Sequence, residues 1–409
     1  MYSYKISLST LIKYLIYLYI FIIVTNVNTG TIPVKIIRVV LAAVLIFNIL
    51  KSNGFKLNAY ISWAIIFLLY NIMMIQFSSY KNYAFEYTMT LLYILVINIG
   101  ICSYMMKHDI VEGMIKVFIF STIVEAIITF GQYGLLVFLN TRRTDEGSAN
   151  TLGFYAAMGV ILSLLMYKRG RGRNQRHLFV FSSFICIAIA LFSASRKAIV
   201  YVVVPLVVYW ILSSKNPITT FRNVVIAVTV VGVGYYALMK IPFAYKLLGS
   251  RVESMVAGFL GRATDSSTST RLRLIEAGMT WFRQKPWFGY GLANYSAMNW
   301  AIRGSIYYAH NNYVELLVDC GLIGTLIYYW IYIHIIYKAA LNKDINRKAR
   351  GYIIGIMTCF LIGDYGMVSY NFAIFQLMLM CLFMVTTGRA FVLSTITKNR
   401  TTDCRNEVV

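Results

Sequence analysis

Apolar runs of roughly twenty residues recur along almost the whole chain, and no other feature constrains its fold as strongly. A run of that length crosses the hydrocarbon of a bilayer as a helix, because only a helix or a closed barrel satisfies its backbone polar groups there. Of 409 residues, 59% are hydrophobic and only 13% are charged. A water-soluble fold could not bury that much apolar surface. The chain therefore reads as an all-α polytopic membrane protein. Spans fall near 8–25, 34–50, 58–77, 88–106, 115–139, 151–167, 178–194, 197–213, 223–239, 313–337, 351–367 and 371–388, which makes 12 transmembrane helices. The first is flanked by Lys5 and Lys13 and lacks a small-residue cleavage site, so it is expected to be retained.

The formal net charge of +23 has to be assigned loop by loop. One short loop carries Lys168, Arg169, Arg171, Arg173 and Arg176, and a second carries Lys338, Lys343, Arg347, Lys348 and Arg350. The tail adds Arg389, Lys398, Arg400 and Arg405. The positive-inside rule turns all three toward the cytoplasm. An even number of spans then leaves both termini inside. In a chain this apolar the basic excess is no sign of nucleic acid. Cys102, Cys186, Cys320, Cys359, Cys381 and Cys404 form no CxxC or Cys/His cluster, so neither a disulfide framework nor a metal site is read from them.

The organisation that follows is nine helices over 1–239, a large external loop over 240–309, three more helices over 310–390 and a cytoplasmic tail over 391–409. The loop holds nine basic and three acidic residues, a net of +6. Long loops escape the positive-inside rule, so topology does not explain that excess. Its arginines meet either lipid headgroups or a phosphorylated substrate, whose oxygens match the guanidinium fork. Within it, Leu272, Ile275, Met279 and Phe282 recur at helical spacing, with Thr270 as N-cap, Arg271 in the first turn and Pro286 as the stop. Gly289 and Gly291 then allow a tight backbone course. Tyr245 to Leu260 reads as an amphipathic helix that can lie on the membrane surface.

The polar groups gather around Ala309 to Gly324, AHNNYVELLVDCGLIG. Asn312 is expected to cap the helix that follows, with Glu315 completing a capping box. His310 sits just outside the first turn. The positive end of the helix favours neutral imidazole and attracts anions, which suits a general base; the plainer alternative is a polar interfacial residue. Arg196, in SASRKA between two apolar runs, either snorkels or faces a cavity, and Lys197 reads as the snorkeller. Asp319 is a second charge at membrane depth and could pair with an arginine. Arg142 and Arg143 lie in the external loop Asn140–Asn150 beside Asp145 and Glu146.

Three segments together resemble the O-antigen ligase/polymerase superfamily: SASR at 193–196, TRLRLIEAGMTWFRQKPWFGYGLANY at 270–295, and AHNNYVELLVDCGLIG at 309–324. Members show a serine-rich turn ending in arginine, an external loop with an arginine-led helix and a Pro…Gly-x-Gly stretch, and a His-Asn motif opening a transmembrane helix. The resemblance implies a C-type glycosyltransferase-like fold and metal-independent glycosyl transfer without a cofactor. The donor it implies is an oligosaccharide on undecaprenyl pyrophosphate, used at the outer face of the cytoplasmic membrane. Arg196, Arg271 and His310 match the residues important in the family, and Arg273 stands where the family is usually not basic. Arg273, Arg142, Arg143, Asn311 and Tyr290 complete the substrate-binding candidates. A repeat-unit polymerase is preferred over a ligase acting on lipid A-core. A flippase-type transporter is disfavoured, because the polar groups gather at one face rather than at mid-membrane. A chain-length regulator, a flippase and membrane lipids are the expected partners.

Overall fold

The computed structural model describes residues 7–25, 32–51, 56–134, 149–170, 172–193, 195–245, 249–259, 266–304 and 307–387. Twelve helices stand where the apolar runs place them. They are α1 Leu8–Val24, α2 Ile32–Lys51, α3 Ala59–Phe77, α4 Lys81–Met105, α5 Val111–Tyr133 and α6 Ala149–Arg169, then α7 Arg173–Phe192, α8 Arg196–Leu212, α9 Pro217–Lys240, α13 Asn312–Leu341, α14 Arg347–Asp364 and α15 Ala373–Thr386. Between α9 and α13, after a three-residue helical turn at Pro242–Ala244, lie three longer loop helices, α10 Ser250–Phe259, α11 Ser266–Gln284 and α12 Asn294–Arg303. Among the described residues there is no strand. Eight helices, α2 to α7, α9 and α13, are long and apolar enough to cross a membrane. Helices α1, α8 and α15 are apolar but shorter, and α14 opens on the basic Arg347, Lys348 and Arg350.

The helix ends differ from the hydropathy reading where local chemistry overrides it. Helix α5 covers Val111–Tyr133 rather than 115–139, because Gly134 takes a left-handed φ of 70° and closes it. Helix α4 starts at Lys81, seven residues before the apolar run, since a helix carries polar residues without cost once it leaves hydrocarbon. In the loop, α11 starts at Ser266, so Thr270 is an interior residue rather than the cap and Arg271 is not in the first turn. The surface helix expected over 245–260 is the shorter α10.

The core is built from aromatic residues across the bundle. Phe154 stacks on Phe375 at 5.5 Å, and Phe375 meets Phe360 at 4.0 Å. Trp63, Phe67 and Tyr328 form a second group, and the Trp63 indole N–H donates to the carbonyl of Ile327 at 2.8 Å. Helices α2 and α9 lie at the periphery with most of their side chains exposed, as helices facing lipid would be.

The two ends of the bundle differ in character. At one end Lys168 donates to the Tyr209 hydroxyl, Arg347 to the carbonyls of Ser214 and Lys215, and Arg350 to those of Ala339 and Asn342. The basic turns α6–α7 and α13–α14 therefore share this end with the α8–α9 turn. The opposite end holds Ser78–Tyr80, Ser193–Lys197, the loop helices, His310 and the turn between α14 and α15.

Candidate active site at the loop end of the bundle

Helix α13 is broken within its N-terminal half. Gly321 takes φ 63°, ψ −173°, a backbone state open in practice only to glycine. In an unbroken helix the N–H groups of Leu322 and Ile323 would bond to the carbonyls of Val318 and Asp319. The break frees these four groups, and the preceding loop takes all of them. Tyr290 N–H donates to the Val318 carbonyl at 2.9 Å and Gly291 N–H to that of Asp319 at 2.7 Å. Leu322 N–H donates to Pro286 at 2.8 Å and Ile323 N–H to Trp287 at 3.1 Å. Tyr70 of α3 covers the next carbonyl, Cys320, at 2.6 Å. Glycine is required on both sides. A Cβ on Gly289, itself at φ 73°, would lie 2.5 Å from the Gly321 nitrogen, and one on Gly321 would strike the Trp287 backbone.

The segment 286–291 is thus a backbone splice in the helix rather than a loose crossing. Asp319 extends it. Read from sequence as an arginine partner, its carboxylate instead accepts the N–H groups of Ala293 at 2.8 Å and Tyr295 at 2.7 Å. These are donors at the start of α12, which the helix itself leaves unsatisfied. Their nearness to a fully buried carboxylate explains why no arginine is needed there. On the far side, Asn294 binds Ser78 and the Tyr80 N–H, tying the splice to the turn between α3 and α4.

Helix α11 packs on the first half of α13 through Leu274, Gly278 and Trp281. Ile275, Met279 and Phe282 lie alongside, and Leu272 is exposed, so the buried stripe is rotated from the predicted one. Gly278 makes the approach close: a Cβ there would run into Val314 and Tyr295. Pairing Gly278 with Val314 and Pro286 with Leu322 fixes a parallel register. Carried back along both chains, that register sets Arg271 on the side of His310. Arg271 is half-buried and lies on the same helix face as Leu274 and Gly278. Arg273 is exposed and donates to the Thr270 hydroxyl at 3.3 Å.

His310 is one of two non-glycine residues with positive φ, at 53°, among the described residues. Such a conformation costs on the order of 1 kcal/mol and persists only when its surroundings hold it. They do so from both sides. The Glu315 carboxylate accepts the Ala309 N–H at 2.6 Å, and the Asn311 side chain accepts the N–H groups of Tyr313 and Val314. Asn311, not Asn312, is therefore the N-cap, and Glu315 reaches past the cap to Ala309 instead of closing a capping box. The half-buried imidazole lies 4.0 Å from the Tyr308 ring, centroid to centroid.

Asn312 is released for another task. Its side-chain oxygen accepts the N–H groups of Ser369 and Tyr370 at 2.9 and 3.2 Å, and its amide faces Tyr329 and Asp364. Asp364, fully buried, also accepts from Tyr329 at 2.9 Å and Ser369 at 2.5 Å. The same turn offers the Gly366 carbonyl to the Lys197 ammonium. Lys197 is therefore a structural tie rather than a snorkeller. One turn thus contacts the residue after Arg196 and the second residue after His310. Arg196 opens α8, preceded by Ser195, whose hydroxyl binds Asn150 at 2.9 Å. The Arg196 side chain lies outside the described residues, as do Arg142 and Arg143. Tyr290 belongs to the splice: its hydroxyl donates to Gln284 at 2.9 Å, Lys285 lies over its ring at 4.6 Å, and burial raises its phenol. Among the described residues no three His, Cys, Asp or Glu side chains gather to hold a metal ion.

The family comparison falls on this assembly. A family model described as O-antigen ligase matches residues 181–329. Residues 181–329 are thus similar to an O-antigen ligase domain. The match supports the O-antigen ligase/polymerase superfamily for this multi-pass membrane protein. No curated protein matches the chain. The matched segment runs from within α7 past the break of α13, so it contains Arg196, Arg271, His310 and the whole splice. The turn that carries Asp364, Gly366 and Ser369, and that contacts both Asn312 and Lys197, lies beyond its end. Sequence reasoning missed Asp364 although a signal existed: a carboxylate closing an apolar run, the same signal that drew attention to Asp319.

Proposed function

We propose that the protein is a metal-independent membrane glycosyltransferase that joins oligosaccharide repeat units carried on undecaprenyl pyrophosphate, at the outer face of the cytoplasmic membrane. The observation that carries the reading is the splice. It holds the Arg271 helix and the His310 turn against each other, at the bundle end where α8 opens on Arg196. The basic turns at the other end support an orientation in which that end faces the cytoplasm.

In this reading the acceptor hydroxyl oxygen attacks the anomeric carbon, and the bond from that carbon to the pyrophosphate oxygen breaks with its electron pair leaving on the pyrophosphate. His310 takes the hydroxyl proton. Arg196 and Arg271 neutralise the charge that grows on the leaving group, which needs cations rather than a proton donor. Arg273 and Asn311 border the same region.

A second reading, transfer of a finished glycan to lipid A-core, is favoured by the description of the matched family as a ligase. Purified protein given lipid-pyrophosphate-linked repeat units separates the two on a gel. A ladder of products supports polymerisation. Product formed only when lipid A-core is added supports ligation, and no product with either acceptor removes glycosyl transfer.

A further inference from the structure

At the basic end, far from the loop, α3, α13 and α15 enclose a cleft of about 750 Å³. That is within the usual range for ligand sites, about 300–1,000 Å³. Its polar side carries Lys338, Lys343, His334 and Asn342, and its apolar side Ala59, Leu341 and Phe383. Both lysines are exposed, and among the described residues no carboxylate lies within ion-pair distance of either. The nearest acid in sequence is Asp344, whose N–H donates to the Asn342 side chain at 3.0 Å.

The end of α13 would ordinarily repel an anion through its unpaired carbonyls. Here Arg350 takes those of Ala339 and Asn342, at 2.9 and 3.3 Å, and Asn342 itself donates to Thr386 at 3.2 Å. The start of α3, capped by Asn58, adds its positive end next to Ala59. His334 stacks on Trp330 at 4.9 Å and lies 5.9 Å from Phe383, so an aromatic wall continues from the cationic rim along the bundle.

A second cleft of about 440 Å³ at the same end repeats the composition, with Lys13, Lys107 and His108 beside Ser9, Thr10 and Asp109. The two clefts belong to one end because Asn58, next to Ala59, donates to Met106, next to Lys107.

We propose that the cleft between α3, α13 and α15 is a binding site for an anionic phospholipid, with the headgroup phosphate between Lys338 and Lys343 and an acyl chain along Phe383 and Trp330. A zwitterionic lipid carries no net charge for the two lysines to neutralise, and a free phosphate has no chain for the apolar wall. The proposal does not rest on the functional reading above.

Native mass spectrometry of the detergent-solubilised full-length protein tests it, with cardiolipin, phosphatidylcholine and inorganic phosphate as probes. Cardiolipin should bind well above phosphatidylcholine, and millimolar phosphate should not displace it. K338Q/K343Q should weaken cardiolipin binding roughly 25-fold, from about a fivefold contribution per lysine near an anionic headgroup. K338R/K343R should restore it, and Lys240→Gln at the opposite end should bind like the parent. Equal cardiolipin binding by K338Q/K343Q and the parent would overturn the site. Equal binding of phosphatidylcholine, or displacement by phosphate, would overturn the assignment to an anionic lipid.

Discussion

The carboxylate of Asp319 accepts the backbone N–H of Tyr295 at 2.7 Å, so a transmembrane helix holds the first turn of a loop helix through one side chain. The same carboxylate takes the Ala293 N–H. Leaving buried backbone donors without their partner costs about 1–3 kcal/mol each, so Asp319→Ala should release α12 without unfolding the bundle. Amide exchange over residues 293–303 should rise sharply, while exchange in α3 and α4 stays as in the parent. Unchanged exchange over 293–303 would show that α12 is held by other contacts.

Gly321→Ala should be among the most damaging single-methyl changes in the chain. The added carbon meets the Trp287 backbone, which cannot move without breaking the splice, and a φ of 63° penalises any side chain there. Gly232→Ala in α9 meets nothing within 4 Å and should be neutral or mildly stabilising, since alanine is the better helix former by about 1 kcal/mol. Thermal unfolding of the two purified variants compares them directly. Equal midpoints would mean that the break is not rigid.

His310 can be separated from its backbone. His310→Asn retains a residue type that tolerates positive φ, so the turn and the unfolding midpoint should persist. Turnover should nevertheless fall by at least about 100-fold, the low end for positioned proton transfer. His310→Gln, which hydrogen-bonds but takes up no proton, should fall as far. Parent-like turnover in His310→Gln would leave the imidazole an orienting role only.

Arg196→Lys and Arg271→Lys keep a charge but lose the fork that can grip two phosphate oxygens. Both should lose most of their activity with normal membrane insertion, and Arg171→Lys in the basic turn should be silent. The pyrophosphate clamp fails if Arg196→Ala and Arg271→Ala each turn over like the parent.

Orientation can be read independently of activity. In a cysteine-free background, a membrane-impermeant thiol reagent applied from outside should label Ser267→Cys in α11 and spare Asn174→Cys in α7. The reverse pattern would carry the candidate site to the cytoplasmic side and remove the lipid-pyrophosphate reading with it.

The twelve helices were legible because hydropathy is a local signal, summed over about twenty residues. The candidates Arg196, Arg271 and His310 were legible as short motifs in order along the chain. The break at Gly321 was not, because glycine is common in transmembrane helices and marks no kink by itself. Its partners lie some thirty residues earlier, and backbone hydrogen bonds between such segments leave no mark in side-chain periodicity. Gly289 and Gly291 were the one trace of them. Asp319 and Lys197 were misread for a related reason. A buried charge announces that it has a partner, but the sequence does not say that the partner is a backbone group.

The splice also bears on how such chains can be recombined. Residues 286–291 leave the ribosome before residues 318–323, so the strip that will complete the break precedes it in synthesis. A loop transplanted from a relative with its boundary at the start of α13 would bring its own strip to a foreign break. Exchange should succeed only when Pro286 to Ile323 travel as one cassette, making loop and helix a single unit of inheritance.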